Sequence, residues 1–123
     1  MTTPFSSDDT FFLLNSADRY DKLVKTIRQG LSLWTLADSE GCLIIALGQD
    51  KVLPIWPSQQ HAESWGKSEY EGFSGLEITA ENWQEKWLSG MSNDGFMVGA
   101  APNLAGECIV SSAQEHALDI STK

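Results

Sequence analysis

Basic side chains are scarce in this chain: eight Lys and Arg stand against 17 Asp and Glu, giving a formal net charge of −9 over 123 residues. Nucleic-acid binding draws most of its affinity from cations that neutralise phosphates, so no nucleic-acid partner is expected. Anionic membrane surfaces attract polybasic segments and are excluded on the same ground. The acidity favours solubility and suits a basic protein as partner. Cysteine is equally sparse. Cys42 and Cys108 both lie in apolar runs, where a thiol behaves as a small hydrophobe, and two isolated cysteines do not make a disulfide framework. Long apolar runs are missing as well: the longest, Cys42 to Leu47, has six residues, far short of the ~20 that cross a bilayer. The opening residues, Met1 to Asp9, hold no basic segment followed by an apolar one, so no secretory signal is predicted and the cytoplasm is the expected setting.

Groups that perform chemistry are few. Zinc is usually held by about four N or S ligands with a close cysteine pair, whereas Cys42, His61, Cys108 and His116 are scattered along the chain. No metal and no cofactor is therefore expected. Gly72-Phe73-Ser74-Gly75 falls one residue short of a Gly-x-Ser-x-Gly nucleophile turn and reads as a loop of small residues. There is no glycine-rich phosphate loop of a common type. Neither His61 nor His116 has an evident partner group, so each reads as a surface or half-buried helix residue. No catalytic residue is assigned, and an enzyme is not expected.

What is present is enough apolar material for one core. With 41% hydrophobic residues the chain can offset its ordering entropy, and its length suits a single α+β domain over 15–123 behind a lead-in over 1–14. The lead-in ends in the apolar block Phe11-Phe12-Leu13-Leu14. Asn15 or Ser16 caps a helix running to Gln29, with Tyr20, Leu23, Val24, Ile27 and Leu31 on one stripe. Leu31 to Ala37, Cys42 to Leu47, and Val52 to Trp56 read as three successive antiparallel strands, with Pro54 placing the third at an edge or bulge. A short helix from Ser58 to Trp65 precedes an irregular connection over 66–75. Thr79 caps a helix that presents Trp83, Trp87, Leu88 and Met91 on one face and stops at Gly95. Strands at Leu76 to Ile78, Phe96 to Ala101 and Glu107 to Val110, with a helix capped by Ser111 or Ser112, complete the pattern. The expected architecture is a mixed or mainly antiparallel sheet covered by about four helices in a single layer.

Two features point to surfaces. Half of the eight basic residues, Arg19, Lys22, Lys25 and Arg28, fall in one short stretch and read as a solvated helix face. Of the five tryptophans, Trp56 lies between Pro54 and Pro57 at the end of the expected edge strand, where an aromatic ring can anchor a partner. Trp56, Pro57, His61 and Arg19 are thus the candidate interaction surface. His61 and Asn103 are candidate liners of a pocket between the sheet and the 66–75 connection.

The order of motifs resembles an uncharacterised bacterial family catalogued as domain of unknown function 2750. The resemblance rests on Arg19-Tyr20, on Trp34-x-Leu36-x-Asp38 with Gly41, and on Leu53-Pro54-Ile55-Trp56-Pro57 followed by Ala62. It continues through the Trp83 to Leu88 helix and Asp94-Gly95 before an apolar strand and Pro102. The middle motif is also similar to the Leu-Pro-aliphatic-aromatic strand of the serine-sensitivity-enhancing SseB family. The resemblance implies an α+β fold and a bacterial cytoplasm, and no reaction, cofactor or residue role. A non-enzymatic interaction or regulatory module, of an immunity type among others, is the leading expectation, with an unidentified protein partner or a homodimer. A small-molecule binder or enzyme with its pocket near the 66–75 loop, and a structural homo-oligomer subunit, are the alternatives.

Overall fold

The computed structural model describes residues 11–103 and 106–121, so of the 1–14 lead-in only its end falls within them. Residues 11–13 are helical, and Phe11 and Phe12 are buried. Helix α1 (Ser16–Arg28) starts at Asn15, whose side chain accepts the Asp18 N–H at 2.8 Å. Asp18 in its first turn and Lys25 and Arg28 in its last complement the helix dipole. Leu23, Val24 and Ile27 are buried as the periodicity predicts. Leu31 is 54% exposed instead, because the helix ends at Arg28 and Gly30 turns the chain at φ +80°.

The structure is α+β, with two sheets where the sequence pattern suggested one. Strand β1 (Leu33–Asp38) pairs antiparallel with β2 (Gly41–Cys42), forming the expected hairpin. The apolar run beyond it does not continue as one strand. Leu43 is buried and donates its N–H to the Leu36 carbonyl at 2.8 Å, after which β3 (Ile45–Leu47) joins a second sheet beside β4 (Asp50–Ile55). The first sheet has the order β2-β1-β5, where β5 is Ser74–Ile78. The second has the order β3-β4-β6-β7, with β6 spanning Phe96–Ala100 and β7 Ile109–Ser112. Every pairing is antiparallel except β4 with β6. Trp34 and Trp56 exchange two 2.8 Å backbone hydrogen bonds and join the sheets.

Strand β4 is an inner strand, which corrects the edge position inferred from Pro54. Its odd-numbered residues bond towards β6, as the 2.7 Å bond from the Ala101 N–H to the Ile55 carbonyl shows. Pro54 therefore turns its imide nitrogen to the other side, where the β3 ladder has ended at Val52 and the Trp56 bridge has not begun. A missing N–H is harmless in that gap. The Pro54 carbonyl accepts the Thr35 hydroxyl at 2.7 Å.

Helix α2 (Gln59–Glu69), capped by Ser58, runs beyond the predicted end at Trp65. Gly66 allows this: a Cβ there would lie 2.9 Å from Leu36 Cδ1, so its absence lets the helix press against β1. The irregular connection expected over 66–75 shrinks to residues 70–73. Helix α3 occupies residues 80–94, capped by Thr79 and stopped by Gly95 at φ +77°. Its middle, Trp83–Trp87, is a π-helical turn. Helix α4 (Ala113–Ser121) opens with a reciprocal capping box: Ser112 Oγ accepts the Glu115 N–H, and Glu115 Oε1 accepts the Ser112 N–H.

Two buried clusters result. One packs α1, α3, α4 and the β4–β6 pair around Leu23, Ile55, Trp83 and Val98. The other gathers Phe11, Phe12, Leu36, Trp56, Ala62 and Trp65 around α2. Among the described residues, no helix is long and apolar enough to cross a membrane.

Candidate functional site

Three constellations collect the chemically capable side chains. The first surrounds the loop after β6. Ala101 is buried and left-handed at φ 51°, a conformation that costs an L-residue about 1–2 kcal/mol. The strain is held by donors. Arg19 Nε donates to the Ala101 carbonyl at 2.8 Å, Trp56 Nε1 to the Pro102 carbonyl at 3.2 Å, and Trp65 Nε1 to the Asn103 carbonyl at 2.6 Å. Arg19 also donates to the carbonyls of Leu14 and Glu107 and to the Ser16 hydroxyl, binding the end of the lead-in to the same loop. Asn103 and Glu107 close the loop on themselves through backbone and side-chain bonds.

Arg19 is 1% exposed, so the solvated face inferred for the basic cluster does not include it. Burial lowers its guanidinium pKa, against the opposing influence of Cys108 and Glu107. Its placement was readable: Arg19, Leu23 and Ile27 follow an i, i+4, i+8 spacing and share one face. Trp56 is 0% exposed, which corrects the expectation of an exposed aromatic anchor. An inner strand covered by α2 buries the ring, and Trp65 packs on it with centroids 5.1 Å apart.

The second constellation is buried in the larger core. The Trp83 indole N–H donates to His116 Nε2 at 3.0 Å, which leaves the imidazole proton on Nδ1, 3.3 Å from the Tyr20 hydroxyl. Tyr20 in turn donates to the Asp119 carboxylate. Burial pushes His116 down to about 4, with Asp119 opposing, so the ring is neutral at pH 7. Burial and the bond to Asp119 push the Tyr20 phenol up. His116, read from sequence as a surface or half-buried residue, is 0% exposed. The chain of donors runs from Trp83 in the core through His116 and Tyr20 to the exposed Asp119 carboxylate.

The third is an apolar cleft of about 370 Å³ between the β2–β3 connection and α3, lined by Cys42, Ile44, Leu53, Trp87, Met91 and Phe96, with Lys86, Gly90 and Asp94 completing its wall. Its shape follows from the π-helical turn. The Leu88 N–H bonds to the Trp83 carbonyl, five residues back, so Leu88 takes the place under Trp83 that Trp87 would have in a regular helix. Leu88 and Met91 are buried, and Trp87, expected on the same face, is half-buried and borders the cleft. Gly90 leaves the space open, since a Cβ at that position would meet nothing within 4 Å. Burial raises the Cys42 thiol above its ordinary pKa, which favours the protonated form. Sequence reasoning missed this site because a π turn has no simple composition signal.

The remaining predicted residues fall apart from one another. His61 stacks on Phe11 at 4.2 Å between centroids and, with Pro57, lines a groove beside α1. Asn103 lines a different cleft together with Arg19 and Glu107. Among the described residues, no group of three or more His, Cys, Asp or Glu side chains is placed to hold a metal ion.

The fold and its buried polar groups define the class as an α+β domain in which Arg19, Trp56 and Trp65 hold the loop after β6. The profile of the family described as "Protein of unknown function (DUF2750)" matches residues 20–120, and the chain belongs to that family. No curated protein matches. No solved structure matches.

Proposed function

We propose that this protein is a non-enzymatic interaction module, and that its working surface is the apolar cleft beside the π-helical turn, which receives an apolar side chain of a protein partner. The observation that carries this reading is the unfilled space at Gly90, walled by Trp87, Ile44 and Phe96. Partly exposed aromatic and aliphatic groups around a preformed recess are the usual anchors of an interface. The net charge of −9 favours a partner with basic groups around the inserted side chain. A non-catalytic role is supported by the state of the titratable core: His116 and Tyr20 are committed to Trp83 and Asp119, and Arg19 to four acceptors. A bacterial cytoplasm, and a regulatory or immunity-type task, fit the same surface.

A second reading has one specific support, because about 370 Å³ also lies in the range that accepts a small ligand. Native mass spectrometry on protein gently isolated from its own cells separates the two. The interaction reading expects a second polypeptide bound to the native chain and absent from Gly90→Leu, whose side chain fills the cleft. A small adduct lost in the same variant would replace it with the ligand reading. A bare chain in both cases would overturn both.

A further inference from the structure

The concentration of positive charge on α1 is not used by the apolar cleft or by the Arg19 hub. Lys22 and Lys25 line a separate groove of about 260 Å³ together with Thr26, Phe11, Pro57 and His61. Both lysines are exposed, and neither forms an ion pair among the described residues. The groove is chemically divided. Phe11, buried and stacked on His61, and Pro57 give it apolar walls, while the two ammonium groups supply charge. The Thr26 hydroxyl donates to the Lys22 carbonyl at 2.8 Å, so towards a ligand it can only accept. Asp18 and Asp21 lie four residues before Lys22 and Lys25 on the same helix, which sets a limit on the local potential.

We infer that this groove binds a small phosphate monoester, with Lys22 and Lys25 taking the dianionic head and the apolar body lying against Phe11 and Pro57. Two point charges suit a dianion, and charge-assisted bonds are about twice as strong as neutral ones. On a chain of net charge −9, the long-range field repels a free anion, so any binding must come from this local arrangement. This inference is independent of the apolar cleft.

Phenyl phosphate is the probe. In a two-dimensional NMR titration at constant ionic strength, saturable shifts are expected for Lys22, Lys25, Thr26 and His61, with benzoate, a monoanion of similar shape, binding more weakly. The double variant Lys22→Ala/Lys25→Ala should retain the thermal midpoint, since both side chains are exposed, and should bind at least about tenfold more weakly. An equal response to sodium chloride, or equal affinity for benzoate, would overturn the proposal. So would an unchanged affinity in the double variant. Lys22→Arg/Lys25→Arg, which keeps the charge, should restore binding.

Discussion

The Arg19 hub and the apolar cleft lie in one small fold and treat their best functional groups in opposite ways. In the hub, an arginine and two tryptophans, residue types that dominate binding hot spots, spend their N–H groups on three consecutive backbone carbonyls of a strained loop. In the cleft, the decisive position is a glycine, and the space it leaves is bordered by a tryptophan that a π-helical turn has displaced from the core. The N–H groups of Arg19, Trp56 and Trp65 are turned towards the protein's own loop. The open surface comes from what the backbone does and from what is not there.

The comparison breaks most visibly at Arg19. Arg19→Met would leave the carbonyls of Ala101, Leu14 and Glu107 without their buried donor, and should cost about 3–5 kcal/mol in urea unfolding. A cost below about 1 kcal/mol would mean that water replaces the guanidinium and that the hub is not what holds the loop.

Acid tests the other buried polar chain. His116 has a folded pKa of about 4, below the ordinary 6.5, so between these values the unfolded chain binds the extra proton. Stability should be fully present above about pH 6.5 and should fall as the pH drops towards 4, by up to about 3 kcal/mol from this group. His116→Gln should flatten that part of the profile even where it lowers stability throughout. A slope unchanged by the substitution would assign the acid sensitivity to other groups.

The cleft responds to smaller changes, and in the opposite sense. Trp87→Ala should weaken partner binding by about 2 kcal/mol in a titration with the partner found by mass spectrometry, if the ring is a hot spot. Gly90→Ala should raise the thermal stability by up to about 1 kcal/mol, because a helical glycine is replaced with nothing in its way. Binding that survived Gly90→Leu while failing in Trp87→Ala would move the contact from the recess to its rim.

Much of the fold was legible because it depends on local chemistry. The caps at Asn15, Ser58 and Thr79 and the stop at Gly95 all stand where short-range rules place them. The errors came from partners distant in sequence. The Cys42 to Leu47 run divides between two sheets because Leu43 bonds back to Leu36 before β3 meets β4. Pro54 suggested an edge, yet it sits in an inner strand where the ladder has a gap. Trp56 and His61 were grouped by sequence proximity and part company, one into the core and the other to a groove beside α1. Arg19 alone carried a readable signal that charge obscured, its i+4 spacing to Leu23.

The sequence by itself determined the α+β class, the acidic surface, the positions of the helices, and the family to which residues 20–120 belong. The class, the acidity and the helix positions follow from periodicity, capping and composition, which act over a few residues at a time, and the family from the profile match over residues 20–120. Only the tertiary structure decided that Arg19, Trp56 and Trp65 converge on one loop, that Trp83 and Tyr20 enclose His116, and that Gly90 stands over an open cleft. Each of these joins segments far apart along the chain, where hydrogen bonding and packing are settled only when the sheets and helices meet.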